Sequence, residues 1–340
     1  MENLRVAIGI DISSEKFDVC LSTVTTDGEV KVGVGAEFPN TRTGFRKFSR
    51  WVDKVNKENQ LPLVYLMEAT GAYHEDLAYY LHQSGCSVII VLPSKSKKYM
   101  QSLPVKSKTD KVDARNLARF ALERKHDLWQ PPSETFRKLR DLTREREVHV
   151  KLRTEAKNRE YAANTSYDKD KGTLKRIQKD IKHHDSQIKA IEDAIKKLID
   201  QDPDIRDKVK NVTTIKGVSL ITAATVIAET DGFKNFENHR QLVSYAGLDV
   251  VFNSSGKHEG KTRISKKGNS HIRSGMFMPA LAIVRSNPVL GALYCRLVEK
   301  GKNGKVALIA VARKALILIY TLWKKNCPFD PNYQQVVKTA

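Results

Sequence analysis

The chain holds only four cysteines, Cys20, Cys86, Cys295 and Cys327, and they are scattered without paired metal-ligand spacing. This excludes a disulfide framework and a cysteine-built zinc fold, and makes reduced thiols in a cytosolic protein the default. Long apolar runs are also scarce. The stretch LIAVARKALILIYTLW near the C-terminus is interrupted by Arg313 and Lys314, so it reads as a buried helix rather than a membrane span. MENLRVAIGI begins with an acid and enters a strand at once, without the basic segment and apolar core of a secretion signal. Acids are outnumbered: 39 Asp and Glu stand against 59 Lys and Arg in 340 residues, a formal net charge of +20 with a pI near 9.7. An excess of that size suits a polyanion and predicts salt-dependent binding, with nucleic acid the favoured partner and no membrane.

What is present begins with hydrophobic patterning. Residues 5–130 read as strand, strand, strand, helix, strand, helix, strand, helix. Val6 to Ile10, Lys16 to Val24 and Val30 to Phe38 are the first three strands, and Thr43 to Val55 carries Phe45, Phe48, Trp51, Val52 and Val55 at helical period. Leu63 to Met67 and Ser87 to Leu92 are apolar runs suited to parallel strands, with Glu75 to His82 as the helix between them. This is the ribonuclease-H order. In that arrangement Asp11 closes the first strand, Glu68 closes the fourth, and Asp110 and Asp113 share one helix face, being three residues apart in KTDKVDARNLARFALER. Four hard oxygen ligands converging from two strand ends and a helix favour Mg²⁺ or Mn²⁺ and phosphoryl chemistry.

The composition shifts twice along the chain, predicting an α/β domain at 1–130, a helical hairpin at 131–203 and a mainly helical domain at 204–340. Between Phe136 and Asp200 the sequence is charged and poor in glycine, with two helical tracts around the polar break NTSYDKDKG. In the second tract Leu174, Ile177, Ile181, His184, Ile188, Ile191, Ile195 and Leu198 alternate by three and four, a coiled-coil seam interrupted by one histidine. The first tract offers Leu139, Leu142, Val148, Leu152 and Ala156. Pairing within the chain and between subunits both satisfy this pattern. The between-subunit arrangement is favoured, giving a homo-oligomer, dimer or tetramer.

After residue 204, IKGVSLITAATVIAE resembles a helix-hairpin-helix element, whose glycine turn offers backbone amides to a phosphate. Ser219 stands where a second glycine often lies. Further on, Ser254-Ser255-Gly256 precedes a basic, glycine-rich stretch in which Lys257, Lys261, Arg263, Lys266, Lys267 and Arg273 are placed to neutralise a nucleic-acid backbone. The serine pair reads either as a plain turn or as a nucleophile.

Taken together, GIDISSEKFDV, MEATGAYHEDLA, KTDKVDARNLARF, IKGVSLITA, and YAGL followed by SSGKHEGKTRISKKGNSHIR and MPAL resemble the DEDD-type transposases of bacterial insertion sequences, the IS110 and IS1111 group of bridge-RNA-guided recombinases. The resemblance covers nearly the whole chain. It implies a RuvC-like ribonuclease-H-fold domain, a coiled-coil connector and a serine-containing transposase domain. It also implies Mg²⁺ bound by Asp11, Glu68, Asp110 and Asp113, and a serine joined covalently to DNA during strand exchange. Counting from Gly247-Leu248 puts Ser255 at the serine position, with Ser254 its neighbour. Target and donor DNA, a guide RNA and a bacterial cytoplasmic, nucleoid-associated setting are implied as well. Two other classes fit parts of the pattern: a metal-dependent junction nuclease using water, for which Ser255 is dispensable, and a non-catalytic nucleic-acid assembly protein, which tolerates loss of any acid.

Overall fold

The structure is a computed structural model that describes residues 3–57, 61–104, 109–252, 254–255, 258–260 and 262–332, with only the backbone described at 3–4, 254–255 and 258–259. It divides into two compact units, Met1–Pro131 and Pro132–Ala340.

The first unit is built on five strands, β1 (Asn3–Ile12), β2 (Lys16–Thr25), β3 (Val30–Pro39), β4 (Leu63–Glu68) and β5 (Ser87–Val91), in the spatial order β3-β2-β1-β4-β5. The pairs β1–β2 and β2–β3 are antiparallel, while β1–β4 and β4–β5 are parallel; the order of elements along the chain read from the sequence is observed except for one additional helix after β5. β1 is central and apolar on both faces because its two sides pack against different layers. Val6, Ile8, Ile10 and Ile12 share one core with Phe45, Phe48 and Val52 of α1 (Arg42–Val55) and Leu77, Ala78 and Leu81 of α2 (Glu75–Gln83). Ala7 faces the other core with Tyr99 of α3 (Pro93–Gln101) and Leu117, Phe120 and Ala121 of α4 (Asp110–Glu123). Strand alternation therefore puts Gly9 and Asp11 on the α4 side with Ala7.

The second unit opens with two long helices, α5 (Glu134–Thr165) and α6 (Lys171–Asp200), which pack antiparallel on each other within one chain. Ile177, Ile188, Ile191 and Ile195 of the expected seam are buried, and ion pairs Arg146–Glu192, Arg153–Asp185 and Arg159–Asp180 rung the hairpin. Of the two pairings the sequence allows, the one within the chain is present: the α6 seam packs on α5. Val148 and Leu152 of the first tract stand outside that seam. They are 53% and 39% exposed, and the α5 positions that turn inward are Leu139, Thr143 and Ala156. His184 lies at the interface with its Nδ1 3.1 Å from that of His149.

The rest of this unit packs α7 (Pro203–Thr213), α8 (Leu220–Glu229), α9 (His239–Tyr245), α10 (Ser270–Ser286), α11 (Pro288–Glu299) and α12 (Gly304–Lys325) around one core. α12 is long and apolar enough to cross a membrane, yet half of that window is buried inside the unit. Val311, Ala312, Ala315, Leu316 and Ile319 supply its core face. Between α9 and α10 run two short antiparallel ladders, β6 (Val250–Val251) with β9 (Arg263–Ile264), and β7 (Ser254–Ser255) with β8 (His258–Glu259).

Candidate active-site residues

In the first unit, the four acids come from element ends fixed by local chemistry. Asp11 lies one residue beyond the last β1–β4 couple, Ile10 with Met67, and Glu68 is the next residue on β4. Asp110 and Asp113 occupy the first turn of α4, whose start is set by Thr109: its hydroxyl accepts from the Val112 N–H. α4 reaches this position because Gly9 has no side chain. A Cβ at Gly9 would come within 2.0 Å of the Ala114 carbonyl oxygen and 2.1 Å of the Ala118 nitrogen.

Asp11 registers their convergence. Its carboxyl is pushed up to about 6 from an ordinary 3.8, first by burial and then by the charges of Asp113, Asp110, Glu68 and Asp18. Glu68 is oriented by hydroxyl donors: the Ser96 Oγ donates to Oε2 at 2.6 Å, and the Thr70 Oγ1 to Oε1 at 3.5 Å. The donor chemistry fits a hard divalent cation, and the repulsion held in the cluster is what such a cation would relieve. As the side chains stand, no three acidic, histidine or cysteine groups among the described residues are close enough together to hold an ion. Asp11, Glu68 and Asp113 are half-buried and Asp110 is exposed.

Sequence reading missed a fifth acid. Asp18 pairs with Asp11 across the β1–β2 ladder, so the two side chains leave the same sheet face. Asp18 is buried, its Oδ2 makes no hydrogen bond among the described residues, and the Lys16 ammonium lies 3.9 Å away. Burial raises its carboxyl above the usual range. The available signal was a charged residue inside the apolar run KFDVCL, but its partner depends on a hairpin register that the letters do not print.

In the second unit, Ser255 belongs to β7, opposite His258 of β8, and only its backbone is described. Lys257 and Lys261 lie outside the described residues. Arg263, Lys266 and Lys267 are exposed. Arg273 is partly spent inside the fold, its Nη1 donating to the carbonyls of Ala246, Gly268 and Asn269 at 2.9, 3.1 and 3.2 Å. Ser219 is the N-cap of α8, its hydroxyl accepting from the Thr222 N–H, which explains a serine at that place. The preceding Gly217 has φ +95°, and a Cβ there would lie 2.7 Å from the Ile283 nitrogen.

Comparison with known proteins matches both units. The DEDD-type IS110 family model, described as "Transposase", matches residues 8–163, and a second, described as "Transposase IS116/IS110/IS902 family", matches residues 209–295. The pilin gene-inverting protein of Moraxella lacunata is 31% identical over 331 residues, covering 96% of this chain and 98% of that protein, and its Moraxella bovis counterpart aligns to the same extent. The transposase for insertion sequence element IS1111A of Coxiella burnetii is 26% identical over 155 residues, 45% of this chain and 42% of that one. Among solved structures, Thermus thermophilus RuvC in complex with a Holliday junction substrate aligns at 10% identity with a TM-score of 0.29, covering 37% of this chain and all of that one.

Proposed function

The chain belongs to the IS110 family of DNA transposases, and we propose that it cuts and rejoins DNA through a phosphoserine formed on Ser255. The observation that carries the site assignment is the displaced carboxyl of Asp11, whose causes include Asp113, Asp110 and Glu68, the three other acids of the motif set. We assign Asp11, Glu68, Asp110 and Asp113 to a divalent cation, Mg²⁺ or Mn²⁺. When bound, such an ion supplies charge to stabilise a phosphoryl group in transfer.

In this reading the Ser255 Oγ attacks a phosphodiester phosphorus. The Oγ–P bond forms as the bond to the departing DNA hydroxyl breaks, and attack by a DNA hydroxyl on the phosphoserine reverses the step. Because each transesterification forms one phosphoester bond for the one it breaks, the serine proton leaving with the DNA hydroxyl, strands rejoin without ATP. The alignment with pilin gene-inverting proteins supports rejoining over simple cutting, since inverting a segment requires every cut end to be sealed. Ser96 and Thr70 hold the Glu68 carboxylate in a fixed orientation, and Arg263, Lys266 and Lys267 neutralise DNA or RNA phosphates. We assign target and donor choice to base pairing with a guide RNA, the protein reading backbone and shape. The glycine turn before α8 is assigned to phosphate contact, and the site of action to the bacterial cytoplasm.

The test is a denaturing gel of purified protein with Mg²⁺, element-derived RNA and nicked or junction DNA, beside Ser255→Ala. An adduct lost in the variant is the expected result. Cleavage without an adduct, unchanged in Ser255→Ala, would replace the serine mechanism with a metal-dependent nuclease using water.

A further inference from the structure

α12 has a second apolar face that the core of its unit covers only in part, at Ile309 and Ile317. Val306, Ile309, Ala310, Arg313, Lys314 and Ile317 recur at the three- and four-residue spacing of one helix side and line a cleft of about 660 Å³. Its other walls are Val250 of β6, Arg263 and Ile264 of β9, Phe277 of α10 and Leu293 of α11. The volume falls within the range of small-molecule sites, about 300–1,000 Å³.

The chemistry of the lining is lopsided. Its floor is aliphatic and aromatic, Arg263, Lys266, Lys305, Arg313 and Lys314 supply five cations, and the described lining includes no carboxylate. The occupant is therefore anionic with a flat or apolar portion. A second copy of this chain, itself at +20, is a poor match for such a surface. Duplex DNA matches the cations but keeps its base faces stacked inside, out of reach of a concave apolar floor. An unpaired strand offers both parts: phosphates for the basic side chains, and base faces for the floor and for Phe277, which is 38% exposed.

Location narrows the choice further. β6 and β9 are the roots of the segment that carries Ser255. Val250 of the cleft wall and Ser255 are five residues apart, at most about 18 Å of extended chain. A base held in the cleft thus belongs to a nucleotide within a few positions of any phosphate that reaches Ser255. We propose that the cleft between α12 and the β6–β9 ladder holds an unpaired nucleotide of the DNA strand being cut. This rests on the transposase reading above and adds a binding site to it.

The experiment compares full-chain protein binding to two fluorescein-labelled DNAs, one fully paired and one with a central unpaired bubble, by anisotropy at fixed salt. Phe277→Ala removes the ring, and Ala310→Trp fills the cleft without changing charge. Both are expected to weaken bubble binding about tenfold while changing duplex binding less than about twofold. Equal losses on both DNAs, or no loss on either, would overturn the proposal. As a check that needs no variant, 5-iododeoxyuridine in the bubble should crosslink to Phe277 or to the α12 face; crosslinks confined to other segments overturn it. An RNA strand of the same sequence forms a third arm, and sensitivity of RNA binding alone to the two variants overturns the assignment to DNA. Bubble discrimination that persists when no serine adduct forms supports the cleft while removing the serine mechanism. An adduct with no discrimination removes the cleft alone.

Discussion

The Arg144 guanidinium holds the Glu229 carboxylate by two parallel hydrogen bonds, Nε to Oε1 at 2.7 Å and Nη2 to Oε2 at 2.9 Å. The Asn269 amide adds a third bond to Oε2 at 2.6 Å, while its own Oδ1 caps α10 at Ile272. One buried carboxylate thereby ties α5, α8 and the start of α10 together, and burial alone would make it costly.

Glu229→Gln should cost about 2 kcal/mol, because it replaces a charge-assisted bidentate pair by a bond to a neutral amide while the Arg144 side chain, 44% exposed, keeps access to water. Burial pushes the Glu229 carboxyl up, but its bonds to Arg144 and Asn269 outweigh this and hold it below the ordinary 4.5. The contribution is therefore complete above about pH 4.5 and disappears as pH falls through the lower folded value. Urea unfolding of wild type and variant at pH 7 and pH 3 checks this: the difference between them should shrink at pH 3.

Asp11→Asn should stabilise the metal-free protein while abolishing strand cleavage. A carboxyl raised from 3.8 to about 6 is penalised in its ionised form, and that penalty grows as pH rises between those values and is full above them. Discounted for partial exposure, the gain is roughly 1–2 kcal/mol, about 3–6 °C in Tm at pH 8. Calorimetry in chelator should show it at pH 8 and not at pH 4. Added Mg²⁺ should raise the Tm of wild type more than that of the variant.

Gly9→Ala should destabilise the first unit by about 3 kcal/mol, since its Cβ meets two backbone atoms of α4 rather than a side chain that can turn aside. If the helix shifts instead of unfolding, Asp110 and Asp113 move with it. Mg²⁺-dependent stabilisation should then fall even in the folded fraction, as read by a metal titration of Tm.

Lys267→Ala and Arg273→Ala should separate phosphate contact from scaffolding. Loss of an exposed lysine that touches one phosphate lowers the slope of log affinity against log salt by about 1 and leaves Tm unchanged. Arg273 holds three carbonyls, so its loss should lower Tm. Anisotropy titrations across salt, paired with melts, distinguish the two effects.

The sheet order and the ends that carry Asp11 and Glu68 were legible because short apolar runs with fixed intervening helices leave few ways to pair. Asp110 and Asp113 were legible because three-residue spacing in a helical segment puts both on one face, while the cap at Thr109 came only with the structure. Asp18 was not, since its proximity to Asp11 arises from a cross-strand register. Nor was the grip of Arg144 on Glu229, a contact between residues 85 apart in the chain. Val148 and Leu152 misled for a different reason. On a helix as polar as α5, apolar residues at three- and four-residue steps fit more than one stripe, and only the partner helix selects the stripe that is buried.

A 32-residue α5 is about 48 Å long and is tied to its unit as far as Glu147, which meets His271 and Ser274 of α10, while Tyr161 and the turn beyond it stand in solvent about 27 Å further on. It is a lever. Each degree of rotation about that last tie sweeps the far end through roughly 0.5 Å, so an adjustment of a few degrees there displaces the tip by ångströms.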